Sequence, residues 1–169
     1  MSLSPILAAL KQIISKFFCP LKCFITVSFN CSLVDKCIKS FGLSEQVKQI
    51  GKISGHAKVD FTQNCDLFVM PSYKVKNSIE GFGISYIEAA AYGIPSIAGV
   101  EGGVVDAVAN SKTGWCVDPL SLKELADTRM DAINNEKKRE EYGLQAQKHF
   151  MDYFSGEKVF RKLVDTITI

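Results

Sequence analysis

With 169 residues, 47% of them hydrophobic and 22% charged, the chain has the apolar content of one ordinary soluble domain with a sizeable core. A net charge of +2 excludes the strongly basic balance of a nucleic-acid-binding surface. Lys11, Lys16 and Lys22 interrupt the apolar N-terminal stretch before it reaches membrane-spanning length.

Ser4-Pro5 reads as a helix cap with proline at the first helical position. Ile6, Leu7, Leu10, Ile13, Ile14 and Phe17 then make a helical stripe. That pattern fits a membrane-surface helix or a helix laid on a sheet, and the strand that follows favours the sheet. The strand spans 24–29, rich in β-branched and aromatic residues. A helix over 32–40 ends at Gly42, and a strand over 46–50 closes at Gly51. Ser54 caps a helix to about residue 64, and 66–70 is an apolar run expected of a parallel strand buried on both faces. Beyond the segment around residues 80–93, a strand is predicted over 96–98, a short helix over 104–109 and a strand over 114–117. Ser121 caps a helix to about residue 134, a second polar helix covers 136–153, and Ser155 starts a last one. Strands and helices alternate throughout, so the expected class is α/β: a single Rossmann-like domain with a parallel sheet and helices on both faces. Ligands of such sheets bind beyond the carboxyl ends of the strands, where Gly51, Ser72, residues 99–103 and the Glu80 loop would lie.

The six cysteines (Cys19, Cys23, Cys31, Cys37, Cys65 and Cys116) lack metal-ligand spacing and sit in or beside apolar runs, as reduced core thiols do. His56 and His149 read as surface helix residues, so no metal site is expected.

Residues 80–99 read E-G-F-G-I-S-Y-I-E-A-A-A-Y-G-I-P-S-I-A-G, with Glu88 the one charged side chain between Gly81 and Val100. The helix is expected to open near Phe82 and Gly83 and to close at Gly93, ahead of Pro95. Ile84, Ile87, Glu88 and Ala91 recur at helical spacing, which puts Glu88 in an apolar stripe where a carboxylate needs partners. Ligand hydroxyl groups would supply them, and so would backbone groups or a neighbouring tyrosine. Glu80 precedes Gly81 and Gly83, which let backbone approach a ligand, and the amides of a helix start favour phosphate. One short segment thus offers an anion cradle between two carboxylates.

The two glutamates are seven residues apart, and the whole string resembles the E-x7-E block of retaining GT-B glycosyltransferases, the group 1 glycosyl transferases. The resemblance extends over nearly the full chain, through Gly42-Leu43-Ser44, the segment from Asn64 to Ser72, Gly102-Gly103 with Asp106, and Thr113-Gly114-Trp115. It implies the C-terminal half of a GT-B fold, with residues 4–169 forming a nucleotide-sugar donor-binding domain. By that resemblance Glu80 is the catalytic residue, contacting the transferred sugar. Gly81 and the backbone amides of Phe82, Gly83 and Ile84 hold sugar or diphosphate, Glu88 accepts from the ribose hydroxyls, and Lys52 and Ile53 frame the nucleobase.

The activity implied is metal-independent transfer of a hexose from a UDP- or GDP-sugar, with no cofactor. Against the family pattern, the acceptor-binding domain and the donor domain's first strand, which carries an Arg and a Lys to the diphosphate, are expected to be missing. Lys74 and Lys76 stand in the loop ahead of Glu80, and Gly156 stands where members often have Trp. The expectation is therefore a domain inactive alone, which needs an acceptor-binding domain or subunit. The alternative is a degenerate, non-catalytic module that pairs with a separate acceptor-binding protein. By resemblance the location is cytoplasmic, extending to peripheral association with the cytoplasmic membrane face.

Overall fold

A computed structural model describes residues 23–25, 32–74 and 81–167. The helix expected over 4–17, most of the strand over 24–29, and Lys76 and Glu80 lie outside them. The chain divides into two compact units, Met1–Phe61 and Thr62–Ile169.

In the first unit, β1 (Cys23–Ile25) pairs in parallel with β2 (Val47–Gln49), Phe24 opposite Lys48. Helix α1 (Ser32–Ser40) joins them. Val34 and Ile38, one turn apart on α1, pack with Leu43 and Val47 into a small core. Gly42 and Leu43 end the helix by donating to the carbonyls of Lys39 and Ile38 at 3.0 and 2.9 Å. Helix α2 (Gly55–Gln63) begins after a short segment holding Lys52 and Ile53.

The second unit carries a three-stranded parallel sheet in the order β3 (Phe68–Met70), β4 (Ser96–Ala98), β5 (Gly114–Cys116). Side chains alternate across it and build a core on each face. Ala98 turns toward α3 (Ile84–Ala91) and α4 (Val104–Ala107), where it packs with Tyr86, Ile87, Val104 and Ala107. Ile97 turns the other way, toward α5 (Leu122–Asn134) and α6 (Glu136–His149), packing with Trp115, Val117, Leu125, Ala132 and Tyr142. Ile97 is completely buried, worth roughly 2 kcal/mol relative to exposure. Helices on both faces of a parallel sheet make this a Rossmann-like α/β arrangement, as expected.

Strand β3 departs from expectation. Its apolar run predicts burial on both faces, yet Val69 is exposed while Phe68 and Met70 are half-buried. The reason is position: β4 is central and buried throughout, and β3 lies on the margin of this sheet.

Helix boundaries follow local chemistry. The Ser121 hydroxyl accepts from the Glu124 amide at 3.3 Å, and the Asn135 side chain accepts from the Lys138 amide at 3.2 Å. The Arg139 guanidinium reaches back to the carbonyls of Ala132 and Ile133 at 2.8 and 2.6 Å, closing α5. The second polar helix does not run unbroken to residue 153. Regular α-helix ends at His149, and Phe150–Phe154 form a π-helical turn before α7 (Gly156–Ile167).

Candidate functional site

Helix α3 closes as its sequence predicts. Gly93 donates to Ala90 O at 2.9 Å and Ile94 to Ala89 O at 3.1 Å, the paired bonds of a Schellman motif. Its start is more unusual. Gly83 is the N-cap, with φ 75° and ψ 45°, and offers no side-chain cap. The amides at the start of α3, Ile84 and Ser85 foremost, have no intrahelical acceptor, so they and the positive end of the helix dipole are available to an anion. A side chain at residue 83 is excluded twice over, because its Cβ would lie 2.6 Å from the Tyr86 ring and φ is left-handed.

The face of α3 that is buried differs from the one expected. Tyr86, Ile87, Ala89 and Ala90 form the buried arc, whereas Ile84 is 65% exposed. Glu88, one turn on from Ile84, is intermediate in exposure and lies opposite that arc. The stripe of Ile84, Ile87, Glu88 and Ala91 is thus corrected. Helical spacing groups them, but the sheet selects Tyr86 and the alanines, whose small side chains let the helix approach β4. Glu88 is therefore no misplaced core residue. It shares the open side of the helix with the uncapped start.

Two contacts fix that start against the strand ends. The buried Tyr86 phenol donates to the Met70 carbonyl at the end of β3, and its ring meets Phe68 edge-on at 5.6 Å. Gly103 lies so close that a Cβ there would be 2.1 Å from the Gly81 carbonyl oxygen and 3.1 Å from Phe82 Cα. The loops after β3 and β4 are joined as well, the Lys74 amide donating to the Glu101 carboxylate at 2.7 Å. The carboxyl ends of β3 and β4, the Gly102-Gly103 turn and the start of α3 therefore meet in one place, where open parallel sheets bind ligands.

Of the residues singled out in sequence, the structure brings together Gly81, Phe82, Gly83, Ile84 and Glu88. Lys52, exposed, and Ile53, half-buried, belong to the other unit, beyond the end of β2. Sequence reasoning missed Tyr86 and Glu101 as the residues that hold the site's loops. Tyr86 carried a signal, as the large aromatic side chain within the helical string between the two glutamates. Glu101 carried none. His149 is half-buried rather than a surface residue, with Nε2 3.1 Å from the Asp106 carbonyl, while His56 is exposed as expected. An open concavity of about 570 Å³ is lined by Asp106, His149, Asp152, Lys158 and Arg161 around the rings of Tyr153 and Phe154. Among the described residues no three His, Cys, Asp or Glu side chains gather as a metal ion requires, and no helix is long and apolar enough to cross a membrane.

Helices on both faces of a parallel sheet, with the glycine-started α3 at its carboxyl edge, define the class of Rossmann-like α/β domains. Within that class residues 32–149 match the family described as glycosyl transferases group 1, and the chain belongs to it. Over 105 residues it is 32% identical to the capsular polysaccharide biosynthesis glycosyltransferase CapM of Staphylococcus aureus, covering 62% of this chain and 26% of CapM. Anabaena Alr3699/HepE, solved in complex with UDP, superposes with a TM-score of 0.78 at 21% identity, over 99% of this chain and 45% of that one. The C-terminal domain of a group 1 family protein, LpcC of Francisella tularensis, does so with a TM-score of 0.73 at 20% identity, over 89% of this chain and 77% of that one. At these identities the structural likeness is one of fold. The chain spans about a quarter of the length of CapM and under half that of HepE.

Proposed function

We propose that residues 4–169 are the donor-binding domain of a retaining, metal-independent glycosyltransferase that moves a hexose from a UDP- or GDP-sugar to an acceptor. The observation that carries this reading is the shared open face of α3, with uncapped amides at its start and the Glu88 carboxylate one turn on. Ile84 and Glu88 are four residues apart, a rise of about 6 Å, which is within the span of one nucleotide sugar. A nucleotide sugar presents the matching chemistry, a diphosphate for the amides and hydroxyl groups for the carboxylate.

In this reading the amides of Phe82, Gly83 and Ile84 hold the diphosphate and sugar, with Gly81 giving them room. Glu88 accepts from the ribose hydroxyls. Glu80 contacts the sugar and stabilises positive charge developing at its anomeric carbon. The bond from that carbon to the diphosphate breaks with its electron pair leaving on the nucleotide, and the acceptor hydroxyl oxygen bonds to the same face as its proton passes to the departing diphosphate oxygen. HepE's complex with UDP supports a uridine nucleotide as the first ligand to test.

The partner in this reading is an acceptor-binding domain or subunit, without which the domain is inactive. Helix α7 supports it. Val159, Phe160 and Val164 stand exposed along the helix, beside the Glu157–Arg161 ion pair at 3.1 Å. HepE and LpcC together favour a folded domain as occupant, because this chain fills less than half of HepE but most of LpcC's C-terminal domain. Calorimetric titration with UDP-glucose and GDP-mannose tests the donor site. Saturable binding of either supports the reading, and binding of neither overturns it.

A further inference from the structure

The π-helical turn between α6 and α7 has a specific geometry. Phe150–Phe154 form it, and Ser155 leaves it with extended backbone, donating through its amide to Phe150 O at 3.0 Å and through its hydroxyl to Met151 O at 3.2 Å. Such a turn inserts a residue into the helical register and re-aims the side chains that follow; π turns often occur at functional sites. Here the re-aimed side chain is Phe154. Its ring meets Phe82 edge-to-face, with centroids 5.7 Å apart and planes at 74°. The His149 ring also stands 5.3 Å from it, at 74°, and the His149 Nε2 to Asp106 O contact at 3.1 Å ties the cluster to α4.

Phe82 lies between Gly81 and Gly83, outside any regular element, and is 47% exposed. Gly103 packs against its backbone on the side of the strand ends, and Phe154 meets its side chain, so the two contacts together set where its amide points. We infer that Phe154 is a positioning residue for the donor loop: its edge-to-face contact with Phe82 aims the amides of Phe82, Gly83 and Ile84 at the ligand's diphosphate. This rests on the donor-site reading. It makes the C-terminal segment part of the donor site through geometry, with no contact between Phe154 and the ligand.

The test is titration of the full chain with UDP, for wild type, Phe154→Leu, Phe82→Leu, the double variant and Phe154→Tyr, each with its thermal midpoint. Leu144→Ala, on an exposed side chain of α6, is the control for general loss of apolar surface. Phe154→Leu and Phe82→Leu each weaken UDP binding about three- to tenfold, the range an edge-to-face pair supports. The double variant is no weaker than the worse single one, since both remove one contact. Phe154→Tyr keeps the ring and stays within about twofold of wild type, which separates positioning from folding even where Phe154→Leu lowers the thermal midpoint. Leu144→Ala binds as wild type does. Wild-type binding that is unchanged in Phe154→Leu, or losses that add in the double variant, overturns the inference and leaves the donor site standing. Wild type that binds no UDP, UDP-glucose or GDP-mannose overturns the donor-site reading and the inference with it.

Discussion

The phenol of Tyr86 donates a hydrogen bond to the carbonyl of Met70, pinning the first turn of α3 to the carboxyl end of β3. A buried tyrosine needs a partner for its hydroxyl, and this one is also the strut that holds the start of the helix against the strand. Tyr86→Phe keeps the ring against Phe68 but loses the bond. Met70 O retains the Ser72 amide at 2.8 Å, so no carbonyl is stranded and the cost is about 1 kcal/mol. The expected result is a thermal midpoint about 2–4 °C lower. Nucleotide binding is weaker than that loss alone requires, as measured by melting with and without UDP.

A second strut is backbone against backbone. A Cβ on Gly103 would sit 2.1 Å from the Gly81 carbonyl oxygen, and neither group is a flexible side chain that could turn aside. Gly103→Ala is therefore expected to displace the 81–83 loop and abolish measurable UDP binding. Gly156→Ala, where an added Cβ meets nothing within 4 Å, leaves binding unchanged. Titration of the two variants side by side distinguishes a local clash from a general dislike of substitution at glycine.

The alternation of strands and helices was legible in sequence because turn chemistry punctuates it. Ser121 and Asn135 each cap the helix they precede, and Gly93 ends α3 with both bonds of its motif. Which side of α3 is buried was not legible. Periodicity alone grouped Glu88 with Ile84 and Ile87, but the sheet selected Tyr86, Ala89 and Ala90, since only contact with β4 decides which arc of an almost uncharged helix turns inward. The break at Phe150 was hidden for a related reason. A π turn changes register without changing composition, so a helix expected to reach residue 153 ends at His149. The spacing of Gly81, Gly83 and Glu88 was legible because it is local. The hold of Glu101 on Lys74 depends on two loops that meet only after folding.

The core on the other face of the sheet predicts an acid response. Asp131 accepts from Lys138 Nζ at 2.6 Å and from Trp115 Nε1 at 3.1 Å, and Lys138 Nζ lies 5.7 Å from the centre of the Trp115 ring. The Lys138 bond foremost, helped by the Trp115 bond and the ammonium charge, holds the Asp131 carboxyl below the ordinary carboxylate range, against the opposing effect of burial. A lowered folded pKa means the stabilisation is complete above the unfolded value near ~3.9 and is lost as pH falls through the folded one. Both side chains are partly exposed, so the contribution is under about 1 kcal/mol. Trp115 is the single tryptophan, and its emission during acid titration reports the change. Asp131→Asn is expected to be less stable near neutral pH and to lose less stability below about pH 4 than wild type.

Cys65 and Cys116 are reduced thiols whose pKa values are raised by burial, with the Asp66 charge adding to the effect at Cys65. Cys116 also donates to the Val108 carbonyl at 3.3 Å. A raised pKa leaves less thiolate, which is the reactive form. At pH 8 both should alkylate more slowly in the folded protein than in denaturant, as read by peptide-resolved mass spectrometry. Equal rates in the two states would contradict the burial described here.

The donor-site reading depends on Glu88 acting together with the start of α3. Calorimetric titration of wild type, Glu88→Ala and Glu88→Gln with UDP-glucose and GDP-mannose tests this most directly. A carboxylate accepting from ribose hydroxyls is worth about tenfold or more in affinity. The account therefore predicts saturable binding of one of the two by wild type, a loss of at least about tenfold in Glu88→Ala and a smaller loss in Glu88→Gln. Binding of neither nucleotide sugar by wild type, or equal affinity in wild type and Glu88→Ala, would contradict it.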